Sequence, residues 1–157
     1  MHFRQFLLVL GGTALLTLAA CGSSTSSSSQ FSACSALSAA QIETITSVAV
    51  GVGVPDLINQ ESSCVWRADP GPGELLVLVG GENSASEFEA RVADGVLSLG
   101  AAAPVEIAGA SKAIEFGDFG LVVMVVDDRL EQVHQSLSTT SVSAHRELAA
   151  AVAEHSK

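Results

Sequence analysis

The chain has 157 residues, 48% of them hydrophobic, and a formal net charge of −10, which allows one domain with a real core and not comfortably two. Its seven basic residues, Arg4, Arg67, Arg91, Lys112, Arg129, Arg146 and Lys157, are scattered. No basic stripe runs through them to hold phosphates, which argues against a nucleic-acid partner. The acidity supplies solubility and repulsion from anionic surfaces.

Residues 1–20 have the layout of a secretory signal. Arg4 gives a positive start, Phe6 to Ala19 form an uncharged apolar run, and small residues precede Cys21. The run is shorter than the roughly 20 apolar residues needed to span hydrocarbon, and Gly11, Gly12, Thr13 and Thr17 interrupt it. Its end, Leu18-Ala19-Ala20-Cys21, resembles the lipobox of bacterial lipoproteins: a Leu, two small residues, then Cys. The resemblance implies a diacylglyceryl group on the Cys21 thiol, with fatty acyl chains such as palmitate, and cleavage before that residue. Membrane lipid, reached through those chains, is the first partner it implies, and the outer, extracytoplasmic face of the cell membrane is the location. An ordinary secreted protein with a cysteine at its cleavage site is the competing reading. After cleavage six basic residues face 17 carboxylates, a charge of −11. Residues 21–32, "CGSSTSSSSQFS", have almost nothing to bury and read as a flexible tether.

A single globular domain is expected over residues 33–157. With Cys21 spent on lipid, Cys34 and Cys64 remain, an even number in an exported chain, and a disulfide is expected. Closing a loop of about 30 residues contributes roughly 3.5 kcal/mol in the chain-entropy model. Two free thiols or a metal site are the rivals, although no CxxC or His-x-x-His spacing favours metal.

Ser38 with Gln41 forms a capping box that opens a helix, with Ile42, Ile45 and Ala49 at helical spacing. Gly51, Gly53 and Pro55 oppose its continuation. "SSCVWRA" predicts a strand with Cys64 and Trp66 on one face. "DPGPG" at 69–73 is a turn, and "ELLVLVG", apolar on both faces, is a central strand. Ser84 with Glu87 makes a second capping box, followed by Phe88, Val92 and Val96 on one helical face. "PVEIAG", "SKAIEFG" and "FGLVVMVV" read as strands, the last two joined at Gly117-Asp118. Asp127-Asp128 turns the chain into "RLEQVHQSL", an edge strand by its polar side. "SVSAHRELAAAVAEH" closes as a helix with Leu148 and Val152 facing inward. This order predicts an α+β fold: an antiparallel sheet of about five strands with three helices covering one face.

The lipobox and serine tether are followed by Cys-x-x-Leu-Ser (Cys34 to Ser38) and, about 30 residues on, Cys-x-Trp (Cys64 to Trp66). Together with "IAGASKAIEF", this resembles the actinobacterial lipoproteins grouped as domain-of-unknown-function family 3558, over roughly residues 33–155. The resemblance implies an envelope location, a Cys34–Cys64 disulfide and a sandwich-like α/β domain. It transfers no catalytic residue.

Chemistry-bearing residues are few. No serine sits in a G-x-S-x-G elbow. "GVGV" lacks the pattern of a phosphate loop. Of the histidines that cleavage would leave, His134, His145 and His155, the last two lie ten apart on one helix and point about 80° apart; all three read as exposed or half-exposed. Asp127, Asp128 and Glu131 cluster at a turn without the pattern of a calcium loop. Trp66 reads as core beside a disulfide rather than as a ligand platform. Glu115 and Asp118 flank a turn and are weak as an acid–base pair. No catalytic residue, metal or cofactor is assigned. The expected function is a non-enzymatic, membrane-anchored binding module for an envelope protein or small ligand. A carrier of lipid or another small hydrophobic ligand is the alternative, distinguished by an apolar cavity under the sheet, and a surface hydrolase ranks below it.

Overall fold

The structure, a computed structural model, describes residues 32–58, 61–137 and 141–157. Cys21, the expected signal and the tether up to residue 31 lie outside the described residues. Ser38 opens the first helix, α1 (Ala39–Thr46): its hydroxyl accepts from the Gln41 N–H at 3.2 Å, and the Gln41 side-chain oxygen accepts from the Ser38 N–H at 2.9 Å. This is the reciprocal cap that the sequence predicts. The helix stops at Ser47, which adopts a left-handed φ of 58°, so Ala49 lies past its end and is exposed.

Seven strands and two more helices follow: β1 (Val54–Ile58), β2 (Glu61–Arg67), β3 (Glu74–Val79), α2 (Phe88–Leu99), β4 (Ala103–Pro104), β5 (Lys112–Phe116), β6 (Leu121–Val126), β7 (Arg129–Gln135) and α3 (Val142–His155). The strands form one sheet in the order β1-β2-β3-β7-β6-β5-β4, every neighbouring pair antiparallel. The class is α+β, as expected, with seven strands rather than about five. The difference lies at the two edges. β1 contains Pro55, which has no N–H for a second neighbour and belongs at an edge, and β4 is two residues long. Of "PVEIAG" only Pro104 is in a strand.

Residues 129–135 correct the sequence reading most. Their polarity predicts an edge strand, yet β7 is the middle strand, between β3 and β6. Its polar side chains are taken into the interior: Glu131, Gln132 and Gln135 are all buried. The turn before it is as expected, with Asp127 and Asp128 at φ 43° and 64°, the twist that a two-residue hairpin needs.

The helices do not share a face. Residues directly opposite across strands point the same way. One face presents Cys64, Trp66, Leu75, Val77, Met124 and Val133, and packs against Ile42 of α1 and Leu148, Ala149 and Val152 of α3. The other presents Phe116, Val123, Val125 and Leu130 to Phe88, Val92 and Leu99 of α2. Gly95 lets α2 approach closely, because a Cβ there would lie 2.5 Å from the Phe116 ring. Val96, expected inward, is exposed. The expected Ser84–Glu87 cap does not form. Those residues make a 3-10 turn before α2, and the Ser84 hydroxyl accepts the Leu130 N–H of β7 at 2.7 Å. Cys34 and Cys64 are disulfide-bonded, their Cα atoms 5.0 Å apart. The bond fastens the 3-10 turn Ala33–Ser35 to β2.

Candidate ligand-binding cleft

The face bearing α2 is only partly roofed, and simple dimensions say why. A helix is about 10 Å across, whereas strands repeat every ~4.8 Å, so one helix covers roughly two strands. α2 lies over β5 and β6, and beyond Leu130, which packs with Phe88, β7 and its neighbour β3 are left open beside it. Across that face the strand register aligns Val54, Val65, Leu76, His134 and Leu121 in one row. The next row runs Asp56, Ser63, Leu78, Gln132 and Val123.

Where the two rows meet the end of α2 there is a cleft of about 330 Å³, lined by Leu76, Leu78, Leu99, Phe119, Leu121, Gln132 and His134. β3 supplies two leucines to its floor, β6 supplies Leu121, α2 supplies Leu99 from its last residue, and the β5–β6 turn supplies Phe119. Gly120 makes that turn possible. It sits at φ 60°, and a Cβ there would strike the Gln135 carbonyl and the His145 ring. Among the described residues the polar side chains in the lining are Gln132 and His134, two apart on β7 and therefore on one face, about 7 Å apart along the strand. Gln132 is 8% exposed, and among the described residues neither its amide nor the His134 ring makes a side-chain hydrogen bond. A larger depression of about 520 Å³ follows residues 105–113. One continuous segment lines it, so it lacks side chains converging from separate elements.

His134 is thus brought into the cleft, half-buried. His145, expected at least half-exposed, is buried on α3 with both ring nitrogens unpartnered, and burial pushes its pKa down; Glu115 opposes this and His134 adds to it. His155 stays exposed at the end of α3. Glu115 is buried on β5, where its Oε2 accepts from Arg146 Nη2 at 2.8 Å and Nε at 3.1 Å. Asp118, its suggested partner, is exposed on the turn. Asp127 and Asp128 are exposed, but Glu131, grouped with them in the sequence, is fully buried on the α1/α3 face. Burial raises the Glu131 pKa to about 7. Ser156 and Arg129 pull it down and Asp127 pushes it up by less. The Ser156 hydroxyl is directed at the Val152 carbonyl at 3.0 Å, and among the described residues neither Glu131 oxygen has a hydrogen-bond partner. Burial is therefore the deciding influence. Trp66 is core, 1% exposed. Among the described residues no three His, Cys, Asp or Glu side chains gather as a metal site requires, and no helix is long and apolar enough to cross a membrane.

The sequence reading missed the cleft's leucines and Gln132. Its signal was present in "ELLVLVG", where Leu76 and Leu78 alternate with the buried Leu75, Val77 and Val79. Two apolar faces predict a central strand, and one of those faces is half open. Compared with known proteins, the chain matches no family model, no curated protein and no solved structure.

Proposed function

We propose that this chain is an extracytoplasmic lipoprotein held to the cell membrane by acyl chains on Cys21, and that its globular part is a non-enzymatic binding module for a small apolar molecule. The observation that carries the binding is the cleft. Five apolar side chains from β3, β6, α2 and the β5–β6 turn converge around two polar groups of β7. Few convergent polar groups in a mostly apolar concavity are the usual signature of a small-molecule site. The lipobox at Leu18–Cys21 and the resemblance to domain-of-unknown-function family 3558 support the location. The volume, about 330 Å³, is near the lower end for such sites and suits the apolar part of a small ligand better than a whole lipid. Carriage of a small hydrophobic ligand is the second reading, favoured by the same apolar lining.

Native mass spectrometry tests the binding on full chain released from membranes. The wild-type chain is expected to carry a small apolar adduct that Leu78→Arg loses, because the guanidinium fills the floor of the cleft. Adduct-free spectra for both chains, or the same adduct on both, would overturn the assignment of the cleft.

A further inference from the structure

The cleft sets two requirements on what enters it, and they are independent. The first is a hydrogen-bonding group. Gln132, a residue more than nine-tenths buried, lines the cleft with a carboxamide, a donor and an acceptor, that bonds no described side chain or backbone group. Its polar atoms are left facing the cleft, and a ligand that displaces water from them without replacing its hydrogen bonds loses free energy. His134, the next residue along the same face, offers its two ring nitrogens to the same space. The second requirement is charge. Among the described residues no Lys, Arg, Asp or Glu lines the cleft, so an ion entering it finds no counter-charge there to offset its desolvation. The surrounding chain, at −10, disfavours an anion further.

We infer that the cleft selects an uncharged small amphiphile: an apolar body over Leu76, Leu78 and Leu121, with one head group that both donates and accepts hydrogen bonds seated on Gln132 and His134. A primary amide or an alcohol has that chemistry, whereas a carboxylate does not. This rests on the reading of the cleft as a binding site and adds the class of ligand.

The test uses the full chain in lipid nanodiscs with leucine methyl groups isotopically labelled. Octanamide, octanoate and N,N-dimethyloctanamide are titrated, each referred to its free aqueous concentration. Octanamide is expected to shift the Leu76, Leu78 and Leu121 methyl signals saturably, about tenfold more tightly than either of the others. Gln132→Leu is expected to reduce octanamide to the level of the dimethyl amide, to leave the dimethyl amide unchanged, and to melt no lower than wild type. His134→Leu is expected to give the same ranking with a loss of about threefold. Octanoate binding as tightly as octanamide overturns the head-group selection. So does octanamide binding that survives in the folded variants. If Gln132→Leu unfolds the chain, His134→Leu alone decides. If no probe shifts those methyl groups, the cleft is not a binding site, a different failure.

Discussion

Glu131 shows what a single ionisable group does when the fold takes it out of water. It lies fully buried on β7, and loss of hydration raises its pKa from 4.5 to about 7. The folded chain therefore holds a proton that the unfolded chain gives up. Its favourable effect on stability is complete below pH 4.5, declines as pH rises toward 7, and is gone above it. A difference of that size corresponds to about 3 kcal/mol. His145 acts with the opposite sign. Its lowered pKa favours a neutral ring in the folded state, so stability is present above the unfolded value of 6.5 and is lost as pH falls below it. Urea denaturation of Glu131→Gln should separate the two. At pH 8 the variant should be more stable than wild type by about 2 kcal/mol, since an amide there has no charge to desolvate. At pH 4 the two chains should be nearly equal, and the variant should keep only the loss on the acid side. Equal stabilities at pH 8 would refute the argument. None of this was legible from the sequence, where Glu131 sits four residues from Asp127 in an acidic run and only the strand's position in the sheet decides its fate.

At the scale of elements, local signals were read well where they act locally. The Ser38–Gln41 cap and the Asp127-Asp128 turn depend on neighbours a few residues away. The errors are long-range. β7 is polar by composition and central by pairing, and the Ser84 hydroxyl accepts from a β7 amide 46 residues away. Two predictions belong here. Gly95→Ala improves helix propensity by about 1 kcal/mol, but its methyl group would lie 2.5 Å from the Phe116 ring, and overpacking of that kind costs roughly 1–3 kcal/mol. The clash should win. We expect a net loss of about 1 kcal/mol in thermal or urea unfolding, and a stabilised variant would show that α2 can lift without penalty. Removing the Cys34–Cys64 bond with paired Ser substitutions releases a span of 30 residues, worth roughly 3.5 kcal/mol. The unfolding midpoint should fall accordingly, and addition of a reductant to the wild-type chain should reproduce most of the fall.

For the whole molecule, the two faces of the sheet have different jobs. The α1/α3 face is closed by a core that includes Ile42, Trp66, Leu75, Met124 and Leu148, all below 2% exposure, and it stabilises the fold. The α2 face is closed only over β5 and β6, and its open part holds the cleft. Hydrophobic patterning reported that both faces were apolar without reporting how many helices were available to cover them, so the class of fold was legible and the open site was not. The proposed anchor adds a further division, between a body that binds and a head that holds it in place, and the two should separate cleanly by mutation. Cys21 lies outside the Cys34–Cys64 pair, so Cys21→Ala should leave the unfolding midpoint of the globular part unchanged. One acyl chain binds membranes only marginally, whereas two or more hold stably. Loss of the thiol therefore removes the anchor altogether rather than weakening it. In cells fed labelled fatty acid, the wild-type chain should carry label and sediment with membranes, and the alanine variant should be unlabelled and shift to the soluble and secreted fractions. A variant that keeps its label, or that sediments as wild type does, would remove the anchor from this account while leaving the cleft to be judged by its own ligands.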